Sequence, residues 1–162
     1  MAGTGKAHLR DGDAVLRVED LVVEFPIGRK GRVSAVAGIS FDVLRGETLG
    51  IVGESGCGKS TTGRAIMQIE RPTAGSVVFE GTDLTQLPFE QLRSARTKIQ
   101  MIFQDPISSL NPRRKVRDSV REPLDIWKRG SDSERAKVVD DVLENVGIDP
   151  DRAAESLSLI HI

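Results

Sequence analysis

Residues 53–60, Gly53-Glu54-Ser55-Gly56-Cys57-Gly58-Lys59-Ser60, fit the pattern G-x-x-x-x-G-K-[ST] at every fixed position. The chemistry explains the spacing. A loop that wraps a polyphosphate must turn backbone N–H groups inward, and Gly53, Gly56 and Gly58 permit the dihedral angles this requires. Lys59 then reaches the β- and γ-phosphates as a point charge, and the Ser60 hydroxyl can ligate Mg²⁺. A helix starting near Ser60 directs its positive end at the same anion.

The surroundings agree with the loop. Thr48-Leu49-Gly50-Ile51-Val52 is a short apolar run, which predicts a buried strand leading into it. Thr62, Ala65, Ile66 and Ile69 follow at i, i+3, i+4 and i+7, the stripe of an amphipathic helix, and Pro72 stops it. A chance match to the pattern in a chain of this length is on the order of one in two hundred. Residues 53–60 are therefore expected to bind a nucleotide.

The 162 residues allow one domain with a real core. A net charge of −1 argues against a general nucleic-acid binder. Aromatic residues are only 4% of the chain, which disfavours stacking platforms for single strands. The basic run Arg113-Arg114-Lys115 and Arg117 has no interleaved aromatics and reads as a solvated face. One cysteine excludes an internal disulfide and fits a reducing compartment. No apolar run approaches the length of a membrane span, and the start lacks a signal-peptide core. A soluble protein is expected, with a membrane-bound partner left open.

Met1 to Asp13 is polar and Gly-rich and is expected to be disordered; its Gly3-Thr4-Gly5-Lys6 imitates half a phosphate loop without a strand or helix around it. Residues 14–18 and 21–25 read as strands, 26–32 as a turn, and 33–43 as further strand. Phe25 closes the second strand, either as core packing or as an aromatic face for adenine. Residues 77–79 read as a strand and Pro88 as the start of a short helix through Arg93. Ile99 to Phe103 predicts another strand, ended by Gln104-Asp105-Pro106. Gln104 is either a solvated loop amide or, at the C-terminal end of a sheet strand, a group placed near Mg²⁺ or an attacking water. Ser131 with Glu134 forms a capping box, Val139, Val142, Leu143 and Val146 carry a helical stripe, and Gly147 suits the end of that helix. With Val116, Val120 and Leu124 before it, this stretch predicts a separate helical subdomain.

Two blocks together resemble a known family. Gly46 through Thr62, and Phe103-Gln104-Asp105-Pro106 with Ser109-Leu110-Asn111-Pro112-Arg113, are similar to the ATP-binding subunits of ABC transporters. Within that family the second block resembles the oligopeptide and dipeptide importers, a group that includes nickel importers. The likeness runs from about Val15 to Asp151.

The resemblance implies an α/β fold: a P-loop NTPase (RecA-like) core with an N-terminal antiparallel β subdomain and the start of a helical subdomain. Residues 14–106 would form the partial core and 107–150 the partial helical subdomain. It implies ATP and Mg²⁺ as cofactors, with Gly53, Glu54, Ser55, Gly56, Cys57, Gly58, Lys59, Ser60 and Thr61 around the phosphates. Ser60 and Gln104 would face the metal, Phe25 the adenine, and Lys59 and Gln104 the catalytic step. Gln104 would also couple the nucleotide to the membrane permease subunits. A second ATPase subunit is the other implied partner, nucleic acid is not, and the place is the cytoplasmic face of the cell membrane.

The likeness stops short of the family's signature loop, Walker B strand and switch histidine, so the domain is expected to be incomplete and inactive in hydrolysis. Leu157 to Ile162 is what CTG TCT CTT ATA CAC ATC encodes, a sequence resembling a transposon end used in library preparation. Residues 151–162 are accordingly expected to be a non-native tail. The competing readings are a non-catalytic nucleotide-binding module and another P-loop enzyme such as a small-molecule kinase or GTPase. No N-K-x-D run is present for the GTPase, and the β segments before the loop also disfavour this reading.

Overall fold

Fourteen-residue strands built from β-branched and aliphatic residues dominate the N-terminal part of the computed structural model, which describes residues 9–10, 12–29, 31–105 and 110–154. The chain divides into two compact units, Met1–Met101 and Ile102–Ile162. The decoy at 3–6 and the tail at 155–162 lie outside the described residues, as do Pro106 to Ser109.

The first unit is a four-stranded antiparallel sheet in the order β2-β1-β3-β4, with β1 at Ala14–Ile27, β2 at Gly31–Leu44, β3 at Ala74–Phe79 and β4 at Thr82–Asp83. The two strands expected at 14–18 and 21–25 are one. Asp20 takes a left-handed conformation (φ 45°) and the register slips on both sides of it, so a bulge rather than a turn joins them. The Ser40 hydroxyl accepts a hydrogen bond from the Asp20 amide at 2.8 Å and fills the gap this leaves.

Helix α1 (Lys59–Ile66) buries Thr62 and Ala65, as its stripe predicts, and α2 (Phe89–Ala95) buries Leu92. Both pack over Val18, Leu21, Val23, Val36, Val77 and Leu84. Each such side chain contributes on the order of 1.5–3 kcal/mol by leaving water. Helix α1 ends well before Pro72, at Ile66 with Met67 as its C-cap, and Gln68 just beyond takes a left-handed conformation where glycine would be unstrained. Arg96 secures that end: its guanidinium donates to the carbonyls of Met67 (3.1 Å) and Gln68 (2.6 Å).

Two predicted strands are absent as strands. Thr48–Val52 and Ile99–Phe103 pair with nothing among the described residues, and Val52 is 96% and Ile102 89% exposed. An apolar run becomes a strand only where a neighbour takes its backbone hydrogen bonds, and among the described residues neither run has one.

The second unit pairs α3 (Val116–Ile126) with α4 (Asp132–Asn145) around Val139, Leu143 and Ala153, with Val116, Val120 and Leu124 against them. The predicted capping box forms: the Ser131 amide donates to the Glu134 carboxylate at 2.7 Å and the Glu134 amide donates back to Ser131 Oγ at 3.3 Å. Gly147 closes the helix with a φ of 76°, its amide donating to Glu144 O and that of Ile148 to Leu143 O. No helix among the described residues is long and apolar enough to cross a membrane.

The leading stretch that composition reads as disordered contributes Arg10 to the sheet. Its backbone N–H and guanidinium make four hydrogen bonds to Asp42, whose side chain is wholly buried, and two to Glu47. The backbone and side-chain bonds from Arg10 hold the Asp42 carboxyl below its ordinary value of 3.8, and the guanidinium holds Glu47 below 4.5. Lowered carboxyl values mean a stabilisation fully present above those ordinary values and lost as pH falls through the folded-state values. An acid titration followed by circular dichroism should therefore show Arg10→Ala unfolding at higher pH than the parent. Coincident curves would show that Arg10 does not control these carboxyls.

Candidate nucleotide site

The phosphate loop is set on the sheet through one close backbone approach. Gly58 has a φ of 96°, and a Cβ on it would lie 2.2 Å from the carbonyl oxygen of Ala35 on β2, a distance no side chain tolerates. The last glycine of the motif thus fits both the turn into α1 and the surface under it. The first does similar work. A Cβ on Gly53 would meet Cys57 Sγ at 2.5 Å, so the loop folds tightly enough to lay its thiol over Gly53.

The ends of two helices in this chain are finished differently. α4 satisfies its first amides with its own Ser131 and Glu134 and carries Asp132 and Glu134 in its first turn. The N-terminus of α1 has no side-chain cap and no acidic residue in its first turn. Its orphan N–H groups and the positive end of the helix dipole therefore remain available to an external anion.

Lys59 supplies the cation. Its ammonium donates to the carbonyls of Gly53 and Glu54, both at 2.6 Å, and lies 3.5 Å from Cys57 Sγ. The charge is thereby held inside the loop rather than extended into solvent. Ser60 is exposed on the first turn of α1, beside half-buried Thr61, so its hydroxyl faces solvent. Residues 53–61 bring backbone donors, a cation and a hydroxyl together on one contiguous segment.

Sheet register locates Phe25. It pairs with Val33, two residues from Ala35, the residue on which Gly58 packs, and its ring is 37% exposed. The core alternative for this aromatic is therefore only half met: it stands at the hairpin end, outside the buried cluster. Gln104 is exposed and belongs to the second unit. Sequence reading missed Ala35, Arg10 and Arg96. The first has no chemical signature, because only its carbonyl is used.

Cys57 is exposed and reports on the cradle. A polyphosphate held by Lys59 and the α1 amides would cover the thiol. Maleimide labelling of Cys57 is expected to slow severalfold when Mg-ATP is added, read by intact-mass spectrometry. Labelling indifferent to nucleotide would place the phosphates elsewhere.

The family model described as ABC transporter matches residues 36–159. A putative oligopeptide transport ATP-binding protein of Bacillus subtilis, YkfD, is 47% identical over 138 residues, covering 85% of this chain and 42% of its own length. The oligopeptide transport ATP-binding protein AppF of the same organism is 44% identical over 145 residues, covering 85% and 44%. The chain thus spans less than half the length of these curated relatives. Among solved structures, the ATP-binding cassette MJ0796, a dimer bound to ADP and Pi, superposes with a TM-score of 0.76 at 25% identity, over 90% of this chain and 63% of that one. The cbiO1 protein of Clostridium perfringens, part of the cbiONQ transporter complex, gives 0.67 at 28% identity, over 85% and 52%. With a family model over most of its length and a phosphate loop seated as described, this chain belongs to the ABC transporter family of ATP-binding proteins.

Proposed function

We propose that this chain is the nucleotide-binding portion of an importer ATPase that uses ATP to drive uptake of peptides or a related small solute. The observation that carries the reading is the uncapped N-terminus of α1 with Lys59 folded into the loop before it, an anion cradle on the β2 surface. The choice of peptides rests on the two oligopeptide-transport relatives and on a glutathione import relative, GsiA of Escherichia coli, 44% identical over 88% of this chain.

Mg²⁺ fits the same cradle: Ser60 would hold it beside the phosphates, where it would offset charge on the β- and γ-oxygens. Lys59 would hold the β- and γ-phosphates, and Phe25 would stack on the base from the hairpin end. Gln104 would read the γ-phosphate and pass its presence to the membrane subunits. The partners are those permease subunits and a second ATPase subunit, and the place is the cytoplasmic face of the membrane.

The test uses a full-length peptide-transport relative carrying a photo-crosslinker at the position matching Ile126, which is 52% exposed on α3. Crosslinks in membranes are expected to land on a permease subunit. Crosslinks confined to soluble proteins or nucleic acid would contradict the importer reading.

A further inference from the structure

We propose that Arg10 is a positioning residue for nucleotide binding, locking the Leu44–Glu47 turn from which the chain runs into the phosphate loop. The proposal rests on the nucleotide reading of residues 53–60. Arg10 Nη2 lies 2.6 Å from Asp42 Oδ1 and 2.6 Å from Glu47 Oε2, so one nitrogen bridges two carboxylates. Nε adds a 2.7 Å bond to Asp42 and Nη1 a 2.9 Å bond to Glu47, making the guanidinium a planar clasp that a lysine ammonium does not reproduce. The clasp is itself tied down: Arg17 Nη2 donates to the Arg10 carbonyl at 2.7 Å, and the Arg10 amide donates to Asp42 Oδ2 at 2.5 Å.

Glu47 passes the constraint to the backbone. Its carboxylate accepts from the Leu44 amide at 2.8 Å while its own amide donates to Leu44 O at 3.1 Å, closing the turn from both sides. Beyond Glu47 the run 48–52 has no ladder among the described residues. The loop is therefore held at two places on β2, by Gly58 on Ala35 and by this turn. Removing Arg10 leaves a buried carboxylate and a second one facing the same vacancy without their shared cation. Their repulsion would open the turn and let the first end of the loop drift, and cradle amides displaced by an ångström bind phosphate poorly.

The experiment compares parent, Arg10→Ala, Arg10→Lys and Arg10→Ala with Glu47→Gln in the 162-residue chain, well below the unfolding temperature. Mg-ATP affinity is read by calorimetry and amide exchange by mass spectrometry. Arg10→Ala is expected to weaken Mg-ATP about three- to tenfold and to speed exchange over 45–52 while β1 and β3 stay protected. Arg10→Lys should fall between, and adding Glu47→Gln should recover part of the loss because the repulsion is gone. Parent-like affinity and exchange in Arg10→Ala would overturn the proposal. So would exchange raised equally throughout the sheet, the mark of a strut without local control. A parent that binds no Mg-ATP would refute the nucleotide reading alone; exchange over 45–52 would then still decide whether Arg10 governs the turn, local acceleration supporting it and no change overturning it.

Discussion

Lys59→Ala is expected to lower Mg-ATP affinity by about 10- to 100-fold, the equivalent of one or two charge-assisted hydrogen bonds to phosphate. Lys59 is the one cation within the 53–60 motif, and it is held inside the loop by the Gly53 and Glu54 carbonyls at 2.6 Å. On binding, its ammonium exchanges two neutral carbonyl partners for phosphate oxygens carrying full charge, so the contact strengthens where the ligand is most negative. Alanine removes that attraction and leaves the two carbonyls facing the phosphates, which adds repulsion. Calorimetric titration checks the expectation, with thermal unfolding run beside it so that a loss of fold is not mistaken for a loss of contact. Equal affinity in variant and parent would remove Lys59 from the site.

Gly75→Ala is expected to destabilise the first unit by about 3 kcal/mol, from a left-handed backbone costing roughly 1–2 and overpacking costing roughly 1–3. Gly75, the second residue of β3, has a φ of 88°, and a Cβ there would meet Asp20 O at 2.3 Å, Glu19 O at 2.5 Å and Asp20 C at 2.6 Å. All three atoms are backbone of the β1 bulge, so no side chain can swing aside. Gly81 is the control: its φ is 77°, but no atom lies within 4 Å of the added Cβ. Gly81→Ala should therefore cost only the backbone strain, about 1 kcal/mol. Urea denaturation separates the two. Equal losses would show that the bulge does not pack on Gly75 as described.

What the residues announced in advance was local. The Ser131 capping box and the burial of Thr62 and Ala65 on α1 depend on contacts within a few positions and formed as read, whereas Ile69, read into the same stripe, lies beyond the helix and is 50% exposed. The β1 bulge was not legible, because Asp20 and Ser40 complete it across twenty residues. The predicted strands at 48–52 and 99–103 read as apolar runs, yet a run becomes a strand only when a neighbour accepts its hydrogen bonds. The Arg10 clasp did leave a trace. Asp42 sits between Phe41 and Val43 on a strand, and a carboxylate buried there needs a cation from somewhere. Composition instead marked the segment holding that cation as unstructured, since a polar, Gly-rich stretch shows no periodicity even when one of its side chains is anchored.

At the candidate site, the glycine-rich motif is visible in the sequence and the surface it packs on is not. Nothing in Ala35 predicts that its carbonyl lies under Gly58, because the contact comes from the register of β2 rather than from any side chain. The position of Phe25 likewise follows from register, through its pairing with Val33 two residues from that contact.

Residues 53–61 are expected to hold a polyphosphate, and a calorimetric series with ATP, ADP, AMP and adenosine, each with Mg²⁺, on the unaltered chain tests this. Affinity should fall in that order, with the largest step between ADP and AMP, where the β-phosphate facing Lys59 and the α1 amides is lost. Equal affinity for ATP and adenosine, or no binding of ATP by the folded chain, would contradict it.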